Sequence, residues 1–328
     1  VTQTDLNTAP ALIVGPRVLF ISPNRIGDSV IASGIVREIN RQWPNAHITV
    51  AVSGMAAPFY RAAPGVEDII VVNKEKRGGH WIKLWKAVRG TRWDVAIDTR
   101  GSATTFLIPA KTRFVYSSKL EKGDPKVEVI TRLLHAPHSL EPELYIDDRA
   151  RAEAGAVIDP QLATGSGEGP IIALAPIAHQ KGKSWPADRW AALVEKMKAE
   201  PRFDGWRFML VGGPGDHPPA APALKAAGDR GIDFVGKGDI LASAAAIFRA
   251  TLFVGNDSGL MHVSAAAGTP TLGLFGPTEW WLYGPRGAKT MTVASNNTRG
   301  QFAPIEDLTV DAVFAATIKL YDTYAGTR

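Results

Sequence analysis

The 328-residue chain contains no cysteine. That excludes disulfide staples, thiolate metal sites and a cysteine nucleophile, and it fits a reducing compartment. Long apolar runs are missing as well: no stretch approaches the roughly 18 apolar residues that a membrane-spanning helix requires. Val1 to Pro16 lacks a basic start followed by an apolar core, so it reads as a flexible extension and not as a secretion signal. The Gly-x-Gly-x-x-Gly spacing is absent after the first strand, which argues against a dinucleotide-dependent oxidoreductase.

Hydrophobic residues make up 45% of the chain, enough for a packed core in each of the two domains its length suggests. The net charge of +5 is unevenly spread. Lys74 to Arg100 holds eight basic residues against three acids, with Trp81, Trp85 and Trp93 interleaved. This is either a solvated helix face or an electropositive surface for a phosphorylated partner or an anionic membrane. No nucleic-acid-binding motif accompanies it.

Strand and helix patterns alternate along both halves. Val18 to Ser22, His47 to Val52, Glu67 to Val72 and Val95 to Asp98 read as strands. Ile31, Ile35 and Ile39 mark one helix, ended by Pro44 and Asn45, and Trp81 to Arg89 marks another. The polar, glycine-rich run Ala163 to Pro170 reads as a loop near a domain junction, and Leu140 to Asp159 fits either half. Beyond it come strands at Ile171 to Ala175, Arg207 to Val211, Leu252 to Val254 and Thr271 to Phe275, with helices at Trp190 to Met197 and Ile240 to Ala250. A last helix starts at a Thr309 cap and carries Val310, Val313, Phe314, Thr317 and Ile318 on one face. It packs either across the hinge or in its own core. The fold class predicted is α/β: two doubly wound, Rossmann-like domains facing a cleft, with ligands beyond the carboxyl ends of the strands. The predicted division is 1–145 and 146–328, with helix 309–325 at the end.

Four loops fall at strand ends. In Asn24 to Ser29, Gly27 lets backbone approach a ligand closely, and Asp28 is either a helix cap or a general base at the cleft mouth. In Gln180 to Pro186, Lys183 is either a solvated lysine or a point charge for phosphate oxygens. Gly212 and Gly213, with the similar loop at Gly236 and Lys237, serve a turn or leave room for a ribose or base. The richest run is Val254 to His262. Asp257 is placed to accept sugar hydroxyls, and the N–H groups of Ser258 and Gly259 open a helix that attracts an anion. His262 reads as a satisfied helix histidine or a site residue. A nucleotide-linked substrate is the first expectation, with a non-catalytic nucleotide-sugar-binding protein as the alternative.

Four segments in this order resemble glycosyltransferase family nine, the heptosyltransferases: Gly27-Asp28; Lys183-Ser184-Trp185-Pro186; Gly255-Asn256-Asp257-Ser258-Gly259-Leu260-Met261-His262; and Gly268-Thr269-Pro270 running to Phe275-Gly276-Pro277-Thr278. The resemblance spans about Arg17 to Val293. Ile97-Asp98-Thr99-Arg100-Gly101 is similar to the family's Asp-x-Gln-Gly turn, with Arg100 in place of Gln. The resemblance implies a GT-B fold, acceptor domain first and nucleotide-sugar domain second, whose terminal helix crosses back to the first domain. It implies inverting transfer from ADP-heptose to a phosphorylated lipopolysaccharide core acceptor, or the same chemistry with another nucleotide sugar and glycan. By motif, Asp28 is the base, Lys183 a phosphate ligand, Asp257 a donor-sugar contact, and the helix start at Leu260, Met261 and His262 lies beside the diphosphate. Arg25, Gly27, Lys76, Arg77 and Arg100 are the acceptor-side candidates. No Asp-x-Asp run ends a strand in the second half, so no divalent metal or other cofactor is expected. The expected location is cytoplasmic, peripheral on the inner face of the inner membrane, without nucleic-acid partners.

Overall fold

The computed structural model describes residues 15–167 and 169–326. The extension predicted at Val1 to Pro16 therefore lies almost wholly outside the described residues, as does Glu168 in the junction loop. The chain begins with β1 (Arg17–Ile21), α1 (Ile26–Ile31), α2 (Gly34–Gln42), β2 (His47–Val52), β3 (Val66–Val71), α3 (Gly79–Val88), β4 (Trp93–Asp98), β5 (Ala110–Val115) and α4 (Lys126–Leu133). It continues through α5 (Asp148–Thr164), β6 (Ile171–Ala175), α6 (Ala187–Lys198), β7 (Arg207–Gly212), α7 (His217–Ala227), β8 (Gly231–Val235), α8 (Ile240–Phe248) and β9 (Leu252–Asn256). The chain closes with α9 (Gly259–Ala266), β10 (Thr271–Phe275), α10 (Trp280–Tyr283), β11 (Thr290–Ala294) and α11 (Val310–Tyr324).

Both sheets are parallel throughout. The first runs β3-β2-β1-β4-β5 and the second β11-β10-β9-β6-β7-β8. In each, strand order reverses beside the first strand entered, at β1/β4 and at β6/β9. Loops leaving the carboxyl ends of those central strands diverge there and leave a crevice for ligands. The central strands β6, β9 and β10 are buried at every residue, as a sheet covered on both faces requires.

Two expectations are corrected. The helix read through Ile31, Ile35 and Ile39 is broken into α1 and α2 at Ala32 and Ser33. The Ser33 hydroxyl turns back onto the Val30 carbonyl at 2.6 Å, competing for the backbone acceptor a continuous helix needs. The terminal helix does not cross back to the first sheet. It packs on α6, β9, β10 and β11, and its buried Val313 and Leu320 join the core around Trp185 and Trp190. Thr309 caps it as expected, accepting the Ala312 N–H.

The connection between the sheets is strapped to the first one. Thr131 Oγ1 accepts the Leu140 N–H at 3.0 Å, and Ser33 Oγ accepts the Glu143 N–H at 2.9 Å. The strap lies so close to Gly34 that a Cβ there would sit 2.4 Å from the Glu141 carbonyl oxygen. Asp147 then caps α5, which packs on α8 and β8 of the second sheet. Arg61, from the first half, bridges Asp147 (2.5 Å) and Asp239 (3.0 Å), the N-caps of α5 and α8.

Candidate active site

The site assembles where α1 packs against α9. The approach is close enough to demand glycine on both sides. A Cβ on Gly27 would lie 3.0 Å from His262 Cδ2, and one on Gly259 would lie 2.7 Å from Ile26 Cγ2. The Gly27 loop and the start of α9, far apart in sequence, therefore face each other.

On the first half, α1 begins after an exposed Arg25 in extended conformation, which is the N-cap residue but makes no side-chain capping bond. Asp28 stands inside the first turn, half-buried, and its carboxylate makes no hydrogen bond to the described residues. The cap alternative for Asp28 is thus corrected: an N-terminal cap would precede the helix and accept an N–H, and Asp28 does neither. Its negative charge still favours the helix start.

On the second half, β9 delivers Asp257 and α9 follows at once. Ser258 is the N-cap residue, but its side chain caps no N–H, and its buried Oγ has no partner among the described residues. The first turn of α9 consequently keeps N–H groups available for an acceptor. Asp257 Oδ2 accepts from both Lys183 Nζ (2.6 Å) and Thr278 Oγ1 (2.8 Å). The Lys183 loop is held in place from both sides. Ser184 Oγ bonds both backbone groups of Ala178, Trp185 N–H donates to Asn256 Oδ1, and the buried Trp185 indole donates to the Leu308 carbonyl.

His262 lies under this junction. It is buried, and its ring makes no hydrogen bond to the described residues. Burial drives its pKa below the ordinary histidine value. The carboxylates of Asp257 and Asp28 oppose that shift and the Lys183 ammonium reinforces it. These four side chains therefore share one electrostatic neighbourhood.

Met261 lies deeper. Its side chain is wholly buried beneath β10, where a Cβ on Gly273 would sit 2.4 Å from Met261 Sδ. It fills core, leaving only its backbone to the site. Leu260 is half-buried and packs on the core from the rim.

Gly212, Gly213 and Gly236 come together. The Gly236 N–H donates to the Gly212 carbonyl at 3.0 Å, and Gly236 has φ +68°, a backbone favouring glycine. Asp216, which sequence reasoning left out of the site, closes this loop by accepting the Gly213 N–H at 2.7 Å. Lys237 is exposed beside it.

The opposite rim carries the other candidates. Asp98 is buried and accepts from Arg100 N–H, Ser102 N–H, Ser102 Oγ and Thr105 Oγ1, which fixes the turn that presents Arg100. The Arg100 guanidinium lies 4.1 Å from the Trp81 ring centroid. Burial lowers its pKa, only partly offset by Asp98, and its side chain has no hydrogen-bond or ion-pair partner among the described residues. Sequence reasoning saw both residues but not that they stack. Lys76 and Arg77 are exposed in the turn after β3. Among the described residues no group of three or more His, Cys, Asp or Glu is arranged to hold a metal ion. No described helix is long and apolar enough to cross a membrane.

Comparison with known proteins identifies the fold and the family. Lipooligosaccharide heptosyltransferase 2 of Haemophilus influenzae is 26% identical over 300 residues, covering 80% of this chain and 84% of that protein. The crystal structure of a family 9 glycosyl transferase from Veillonella parvula superposes with a TM-score of 0.79 at 19% identity, covering 94% and 97% of the two chains. The E. coli ADP-heptose lps heptosyltransferase II gives 0.74 at 21% identity, covering 94% and 99%. These two likenesses establish the two-sheet GT-B fold. The family model for glycosyltransferase family 9 (heptosyltransferase) matches residues 116–303, more than half of the sequence, and the chain belongs to that family of glycosyltransferases.

Proposed function

We propose that the chain transfers a heptose from ADP-heptose to a phosphorylated lipopolysaccharide core acceptor, with inversion at the anomeric carbon. The observation that carries this reading is the packing of α1 on α9, which brings Asp28, a carboxylate with no hydrogen bond to the described residues, to an uncapped helix start where it shares the surroundings of His262 with the Lys183–Asp257 pair. In this reading residues 1–145 hold the acceptor and 146–328 the nucleotide sugar. The acceptor hydroxyl oxygen attacks the anomeric carbon as its proton passes to Asp28. The bond from that carbon to the ADP oxygen breaks, and ADP leaves with the electron pair. Lys183 and the α9 N–H groups stabilise the charge that develops on the leaving diphosphate. Those cationic and N–H groups do the work a divalent metal does elsewhere, so the reaction is expected to persist in chelator.

Asp257, Ser258 and Gly259 meet the donor sugar and diphosphate. Gly212, Gly213, Gly236 and Lys237 bound the nucleoside side, and Arg25, Gly27, Lys76, Arg77 and Arg100 the acceptor side. A lipid-linked acceptor puts the enzyme at the cytoplasmic face of the inner membrane. The test is Asp28→Asn, followed by mass-spectrometric detection of product. Transfer is expected to fall by about 10³-fold with ADP affinity retained. Turnover at the unaltered rate would refute the base assignment. A thermal-shift panel of nucleotide sugars tests the donor, with ADP-heptose expected to stabilise most.

A further inference from the structure

The first half carries an apolar patch that its own core does not cover. Ile82 on α3 is 56% exposed, and Phe106 and Leu107, at the end of the turn after β4, are 64% and 65% exposed. They are neighbours in space. That turn packs beside α3, and the Trp85 indole N–H donates to the Leu107 carbonyl at 3.1 Å. On α3, His80, Leu84 and Val88 face inward, so Ile82, Trp85, Lys86 and Arg89, at helical spacing, line the outward side. The Arg89 guanidinium sits 4.9 Å from the Trp85 ring centroid. Bulky apolar side chains ringed by tryptophan and cations are poorly suited to water. They suit the boundary where acyl chains meet anionic headgroups.

We propose that this patch docks on an anionic phospholipid bilayer, with Phe106, Leu107 and Ile82 entering the acyl boundary and Lys86 and Arg89 meeting lipid phosphates. The charge around the patch selects this occupant, since cations at its edge complement an anionic surface. Position supports it: α3 begins beside Trp81, which stacks on Arg100, and the turn bearing Phe106 follows directly from Arg100 and Gly101. The docked face thus adjoins the acceptor rim. The inference rests on the proposed lipid-linked acceptor and goes beyond it by naming the surface that holds the enzyme there.

The test is co-sedimentation of the full chain with vesicles, either neutral phosphatidylcholine alone or mixed with phosphatidylglycerol. The unaltered chain is expected to bind the anionic vesicles. Phe106→Ser with Leu107→Ser, and separately Lys86→Glu with Arg89→Glu, should each lower partitioning by about tenfold or more. ADP binding in vesicle-free calorimetry should not change, because these side chains are exposed and lie outside the donor site. Full vesicle binding by the serine pair overturns the proposal, as does failure of the unaltered chain to bind anionic vesicles. A dimer in solution that the serine pair dissolves also overturns it, since a second copy would then be the occupant. Absence of ADP binding by the unaltered chain overturns the donor reading instead, and the vesicle arms still decide this one.

Discussion

Lys183 Nζ and Asp257 Oδ2 lie 2.6 Å apart, with both side chains almost withdrawn from water. An ion pair so enclosed is strongly destabilising to break from one side, because the remaining charge is left without its partner. Lys183→Met should therefore cost roughly 3 kcal/mol of stability and also weaken ADP binding. Lys183→Met combined with Asp257→Leu should recover most of the stability without recovering ADP binding. Urea denaturation and calorimetry separate the two effects, and additive losses in the double variant would contradict the pairing.

The glycine contact between α1 and α9 gives a second expectation. Gly27→Val places a branched side chain where His262 stands 3.0 Å from even a Cβ. The two halves should be held apart, raising the radius of gyration in small-angle scattering and lowering kcat by about tenfold or more, since small misplacements of reacting groups are costly. An unaltered rate would mean that the close approach is not needed for transfer.

Arg100 predicts a split between substrates. Its half-buried guanidinium has an aromatic neighbour but no ion-pair partner among the described residues, so an anionic group of the acceptor is its expected partner. Arg100→Gln should raise acceptor KM about ten- to a hundredfold, the range for a lost charged hydrogen bond. Donor KM should stay constant. Equal rises in both would point to a folding role for the turn.

His262 sets a pH dependence. Its pKa is lowered in the folded protein by burial, whereas the unfolded chain titrates near the ordinary value of about 6.5. Below that value the unfolded state binds more protons than the folded one, so stability falls as pH drops from about 6.5 toward the lowered folded pKa and is flat above about 6.5. His262→Gln should remove this part of the slope. Denaturation curves at pH 5.5 and pH 7.5 (roughly one unit either side of the reference value) would measure it.

Arg61 offers a stability test away from the chemistry. It ties two helix N-caps, Asp147 and Asp239, to the first half, and its pKa is raised by those carboxylates. Arg61→Met should lower stability by about 1–2 kcal/mol, allowing for partial exposure of the triad. Fluorescence-monitored urea titration gives the number, and no change would mean that solvent replaces the bridge.

The chain's architecture was legible wherever apolar residues repeat without interruption. Buried strands such as β6 and β10 and the stripe Trp190, Leu193, Val194 and Met197 were read correctly because packing on both sides demands such patterns. The strands missed, β5, β8 and β11, all lie at sheet edges. There one flank meets solvent, and runs such as Ala-Lys-Thr-Arg-Phe-Val lose the signal. Helix α7 was hidden by prolines, two of which occupy its first turn where no N–H bond is lost. In the site, the loops and their order were legible because strand-end turns need special residues. What was not legible depends on through-space approach: the Lys183–Asp257 pair, Trp81 against Arg100, and Met261 turned into the core.

The strap between the sheets has a mechanical consequence. It is pinned to the first half as far as Glu143, and α5 already belongs to the second from Asp147. The three residues between these anchors, Leu144, Tyr145 and Ile146, lie against the core themselves. A tether with so little slack limits how far the two plates can part, and so keeps Asp28 within reach of the mouth of α9.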